Sequence, residues 1–177
     1  MMEQIKKLEK VMAGWYERAP HLPENGQKWL TENAWWIILV GVILNGFGVI
    51  AILFGTLFAG TLLTTFGGVV GLALSGVLLA AVLTGMALSV LQIVLLIMAI
   101  APLKAGEKKG WNYLFIAYLV FALAVIVGFL FHLGTTGGLG GLIWGAIWLA
   151  IGGYFIFEIR SFMLRQRMPV SSRKSVE

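Results

Sequence analysis

Few side chains in this 177-residue chain could do chemistry, and the missing types are as informative as those present. There is no cysteine, and all eight acidic residues are glutamates. That removes disulfides, thiolate-bound metals, a catalytic thiol and aspartyl chemistry. His132 could ligate a haem or chlorophyll metal through a neutral ring nitrogen, and the only other histidine is His21. The topology derived below puts them on opposite sides of a membrane, so one chain cannot bring both to one haem. No His-rich metal spacing, G-x-S-x-G or P-loop is present, and no pair of carboxylates falls at membrane depth. The expectation is a non-enzymatic protein with no catalytic residue, no metal and no cofactor.

What remains is polar chemistry of a quieter kind. Asn45 and Gln92 are the only amides well inside long apolar stretches, where a polar group must be paired and often marks a path or a site. They could bond to each other across a bundle, or each to a neighbouring backbone. Glu158 is the odd acid, since it closes an apolar stretch at a helix C-terminus and opposes the dipole there. Arg160, two residues on, does not share its helix face, so Lys104, Lys108 and Lys109 are its expected partners. Small residues recur four apart at Gly67, Gly71 and Ser75, and again at Gly137, Gly141 and Gly145. That spacing lets a second helix backbone approach closely in lipid, with Gly41, Gly46 and Gly48 extending the pattern.

The elements that must position these residues follow from where the charges are. The chain is 59% hydrophobic and only 12% charged, with a net charge of +5, whereas soluble domains carry roughly 25% charged residues. All charges fall into three short blocks, Glu3–Glu32, Lys104–Lys109 and Glu158–Glu177. Between them Asn33–Leu103 and Gly110–Phe157 hold no Asp, Glu, Lys or Arg, which only a membrane-embedded chain sustains. The fold class expected is an all-α integral membrane protein, a four-helix bundle of two hairpins with an N-terminal amphipathic helix at the interface. Spans are placed at about 34–57, 77–101, 111–131 and 139–157. They are separated by the Gly- and Thr-rich piece Phe58–Gly76 and by the turn-forming His132–Gly138. Four spans put every basic residue on one face, as cytoplasmic Lys and Arg require; five would strand the N-terminal block.

The organisation expected is therefore a cytoplasmic or interfacial segment over 1–32, a membrane domain over 33–160 and a basic cytoplasmic tail over 161–177. Residues 1–19 read as an amphipathic helix, with Ile5, Leu8, Val11 or Met12, and Trp15 at helical spacing. Such a basic helix suits the interface of an anionic membrane, or docking to a partner helix. Pro20 and Pro23 end it, Thr31 is the expected cap of the first span, and no signal-peptide core precedes it. Gly67-Gly68 and Gly137-Gly138, each after a Thr-Thr pair and 70 residues apart, raise an internal repeat.

The segment Pro102–Phe115, with its Lys108-Lys109-Gly110-Trp111-Asn112, and the segment Tyr154–Phe162, with Ile159-Arg160-Ser161-Phe162, resemble a group of small, uncharacterised bacterial membrane proteins. The resemblance covers about a quarter of the chain and implies a four-span bundle with a cytoplasmic loop and tail. It brings no activity with it. The expected function is a structural or accessory membrane component, packing through its glycine-rich faces against itself or a larger complex. Anionic lipid headgroups are its other expected partner, and nucleic acid is not one. The alternative is a small oligomeric channel or transporter lined by Asn45 and Gln92. The expected site is a bacterial inner membrane with both termini cytoplasmic.

Overall fold

The computed structural model describes residues 2–16, 19–131 and 136–167. These form α1 (Met2–Tyr16), α2 (Glu24–Phe66), α3 (Gly68–Lys104), α4 (Lys108–Phe131) and α5 (Thr136–Arg167). The fold is an all-α bundle in which α2 to α5 each include a stretch long and apolar enough to cross a membrane. From α2 onward each helix packs on the next in sequence order, α2 returns to touch α5, and α1 lies on α5.

The local chemistry explains most boundaries. Pro23 opens α2, its carbonyl accepting from the amides of Gly26 and Gln27 at 2.8 and 3.0 Å. The Gln27 side chain reaches back to the Leu22 carbonyl at 3.0 Å, fixing the entry of the chain. Thr31, the expected cap, is instead inside α2 and donates to the Gln27 carbonyl at 2.8 Å. α3 keeps Pro102 in its last turn; with no amide N–H it cannot donate to the carbonyl of Met98, but its own carbonyl accepts from the Glu107 amide at 2.8 Å. Gly106, at φ +69°, then takes the left-handed conformation that ends the helix.

The piece Phe58–Gly76 is helical except at the corner. α2 continues to Phe66, Gly67 terminates it, and α3 begins at Gly68 with φ +55°. Gly71 is buried against the Leu63 carbonyl; a Cβ there would overlap that oxygen. Of the turn expected at 132–138, residues 132–135 lie outside the described residues, and α5 has already begun at Thr136. The two Gly-Gly pairs therefore do different work. Gly67-Gly68 joins two helices, whereas Gly137-Gly138 sits in the first turn of α5.

The helices differ in length. α2 and α3 have 43 and 37 residues, α4 only 24. Gly110, at the start of α4, lies against the backbone of Leu103, so the antiparallel α3 outruns the far end of α4 by about 20 Å. The projecting end is apolar and open, with Phe66 83% and Val69 87% exposed.

The best-buried part of the bundle is its charged end. Leu30, Ala34, Ala99, Leu103, Phe115 and Ile156 form its core. Trp111 is sealed there, its indole N–H donating to the Ile156 carbonyl at 3.0 Å and its ring stacked on Phe115 with centroids 5.1 Å apart. α1 runs antiparallel beside α5, burying Met12 and Ala13 and stacking Tyr16 on Phe157 at 5.0 Å. A neighbouring face of α1, with Met12, Ala13 and Tyr16, thus packs on a helix of the same chain, and Leu8, Val11 and Trp15 of the expected apolar stripe stay exposed.

Candidate functional site

Three groups of candidate residues follow, and the structure treats each differently. The first lies at the charged end. Glu158 is 3% exposed on α5, and its Oε1 meets His21 Nδ1 at 2.9 Å and the Leu22 amide at 3.4 Å. The expected pairing with Lys108 or Lys109 is not made, and both lysines are exposed, Lys109 lying 6.0 Å from the Tyr113 ring. Lys104 lies 5.0 Å over the Trp35 ring. The cause is steric. Residues 19–23 fold back along α5, tied by the Tyr154 hydroxyl donating to the Pro20 carbonyl at 2.7 Å, and so cover Glu158 before the lysine loop can reach it. Arg160 turns away to Glu9 on α1, with Nε 2.9 Å from Oε1, and stands 5.7 Å from the Trp111 ring.

Around Glu158 a hollow of about 60 Å³ is lined by Tyr16, His21, Tyr154, Arg160 and Ser161, among others. The second carboxylate oxygen of Glu158 is buried and has no protein partner. A space of that size has room for a water, and the contacts around it tie residues 20–22 to α5.

The second group is the glycines. Gly67 and Gly71 are consumed by the α2–α3 corner, and Gly145 by α4, where a Cβ would strike Val125. Ser75 donates to the Leu72 carbonyl at 2.7 Å. Gly137 lies in α5, but its surroundings fall outside the described residues. Gly141 faces open space, as do Gly41, Gly46, Gly48 and Gly55 of α2. Sequence reasoning missed Gly153, whose bare Cα lets the hydroxyls of Tyr16 and Tyr118 sit against α5. It also missed Gly110, the glycine of the Lys-Lys-Gly-Trp run. A Cβ there would strike Leu103 and Pro102.

The third group is the two amides. Asn45 and Gln92 are half-buried, and neither makes a side-chain hydrogen bond among the described residues, to each other or to anything else. Gln92 lines a hollow of about 230 Å³ between α3, α4 and α5, with Tyr118, Phe121, Trp148 and Gly152. Asn45 is not among its lining residues. A separate groove of about 280 Å³ between α2, α4 and α5, running from Trp29 to Ile38, is lined without any polar side chain. Among the described residues no group of three or more His, Asp or Glu could hold a metal ion. His132 lies outside the described residues.

No family model matches this chain, and neither a curated protein nor a solved structure does.

Proposed function

We propose that this is a non-enzymatic structural or accessory component of a membrane, which assembles through one face of α2 against further copies of itself or within a larger membrane complex. The observation that carries the reading is the unused face of α2. Gly41, Asn45, Gly48, Ile52, Gly55 and Ala59 recur at intervals of four and three, so they share one side of the helix. A Cβ at Gly41, Gly48 or Gly55 would meet nothing within 4 Å, and Ile52 is 56% exposed.

Three helical glycines at seven-residue spacing cost about 1 kcal/mol each relative to alanine when nothing is packed on them. The seven-residue period keeps one seam facing a partner helix along its whole length. In lipid such seams associate by close backbone approach and by polar side chains that find each other. Asn45 carries both donors and an acceptor. Two copies related by a two-fold axis would satisfy it reciprocally, since a two-fold interface sets the same patch against itself.

The thirteen basic residues at one face support a bacterial inner membrane with both termini cytoplasmic, where Lys and Arg meet anionic headgroups. Native mass spectrometry from detergent, comparing wild type with the Gly48→Leu/Gly55→Leu variant, tests the assembly. A defined oligomer in the wild type that falls to monomer in the variant, with helix content unchanged, is the expected result. A monomeric wild type, or an oligomer indifferent to both leucines, refutes self-assembly through this face.

A further inference from the structure

The hollow beside Gln92 runs from Leu114 and Ile156, near the charged end, to Gln92 at its deep end. Leu103 packs on Gly110 at the charged end, and Gln92 lies three turns below it on α3, about 16 Å down the helix axis. Half of a hydrocarbon core of about 30 Å has been crossed by then. No water and no phospholipid ester carbonyl is at hand at that depth, so a polar group there must be satisfied by protein or by something dissolved in the hydrocarbon itself.

The protein does not satisfy it. Gln92 has no hydrogen-bond partner among the described residues. Tyr118, the other polar side chain of the hollow, is already committed, its hydroxyl donating to the Leu149 carbonyl at 2.9 Å. The rest of the lining is flat and apolar. Phe121 and Trp148 offer ring faces, and Trp148 is held edge-on by Trp144 with centroids 6.0 Å apart. Gly152 keeps the wall thin, so that a Cβ there would just touch the Tyr118 ring at 3.8 Å. The whole is a concave, mostly apolar space with one free polar group, the usual build of a small-molecule site.

We propose that this hollow binds a neutral, hydrocarbon-soluble molecule whose ring carries a carbonyl oxygen, the quinone class, with the Gln92 amide N–H donating to that oxygen. Size agrees, because a cavity of about 150 Å³ accepts benzene and this one, at about 230 Å³, has room for a substituted ring. Charge agrees as well, since Asn33–Leu103 and Gly110–Phe157 hold no Asp, Glu, Lys or Arg to meet a charged ligand. The aromatic lining provides stacking partners for a flat ring. The inference does not depend on self-assembly, because the hollow is complete within one chain.

The test uses the full chain purified in detergent and native mass spectrometry with a decyl-substituted benzoquinone, set beside decylbenzene, which has the same tail and no oxygen. Saturable binding at one quinone per chain is expected, with decylbenzene about tenfold weaker, the loss expected for one good hydrogen bond. Gln92→Leu should weaken quinone binding about tenfold for the same reason, Gly152→Leu should abolish it by filling the hollow, and Asn45→Leu should leave it unchanged. Adducts that never saturate, decylbenzene binding as well as the quinone, or a Gln92→Leu variant that binds like wild type would each overturn the proposal. If Gly152→Leu does not fold, the decylbenzene comparison on wild type still decides.

Discussion

The imidazole Nδ1 of His21 stands 2.9 Å from the carboxylate Oε1 of Glu158, a contact between side chains 137 positions apart that pins the N-terminal segment to the end of α5. Glu158 is buried and His21 is 42% exposed along its side chain. Removing the histidine therefore leaves a buried carboxylate short of a partner, with solvent moderating the loss. His21→Ala is expected to cost about 1–2 kcal/mol and to make residues 19–23 a preferred protease site. Glu158→Gln, which keeps the shape and one acceptor, should cost less. Equal melting and equal proteolysis of wild type and His21→Ala would show that the contact holds nothing.

The glycines of α2 and α3 should divide by what their Cα atoms touch. Gly71→Ala places a methyl on the Leu63 carbonyl and must open the corner, while Gly76→Ala meets open space. The first is expected to destabilise by about 2 kcal/mol or more, and the second to be neutral or mildly stabilising through helix propensity. Unfolding of both variants in a detergent–SDS titration separates them.

Trp111 does three things at once. It donates to the Ile156 carbonyl, stacks on Phe115 and presents its ring to Arg160. Trp111→Phe keeps part of the stacking and leaves a buried carbonyl without its donor, so about 1–3 kcal/mol should be lost. The same titration measures it. Trp111→Ala should cost more, as a cavity is added to the lost hydrogen bond.

Because the natural chain has no cysteine, single cysteines report sidedness directly. Cysteines at Lys10 and Lys108 should react with an impermeant maleimide from the same side of a sealed vesicle. One at Thr65, beside the corner, should be silent to it from that side. Labelling of Lys10→Cys and Lys108→Cys from opposite sides would refute the four-span topology.

How legible all this was depended on whether a marker existed in the sequence. Charge-free stretches of such length announce membrane helices, and Lys108-Lys109 announces the break between α3 and α4. Inside Asn33–Leu103 no charge marks a boundary, so the Thr- and Gly-rich piece read as a connection. The threonines there do not break the helix. Thr56, Thr61 and Thr65 each donate to the carbonyl four residues back, at 2.7–2.8 Å, which satisfies the hydroxyl within the helix itself. Only Gly67 and Gly68 leave the helical path. Glu158 stood out as an acid in the wrong place, but its partner could not be read, because pairing with His21 depends on how residues 19–23 fold back. The glycine ladders were visible as ladders. Which rungs the chain spends on itself, as at Gly145, and which it leaves open, as at Gly141, is a matter of tertiary packing that spacing does not encode.

The unequal lengths of the two hairpins have a consequence for the surrounding lipid. From Ala34 to Phe66, α2 is uncharged for about 50 Å, whereas Trp111 to Phe131 of α4 is about 31 Å. A leaflet pair of ordinary thickness matches α4 standing upright, but would match α2 only at a tilt of about 50°. Held in one bundle through α3, the two cannot both be matched. The bilayer must swell around the α2–α3 end, and each ångström of such deformation carries a small free-energy cost. That cost would fall if two swollen rims merged, so the lipid would favour the proposed assembly through the open glycines of α2.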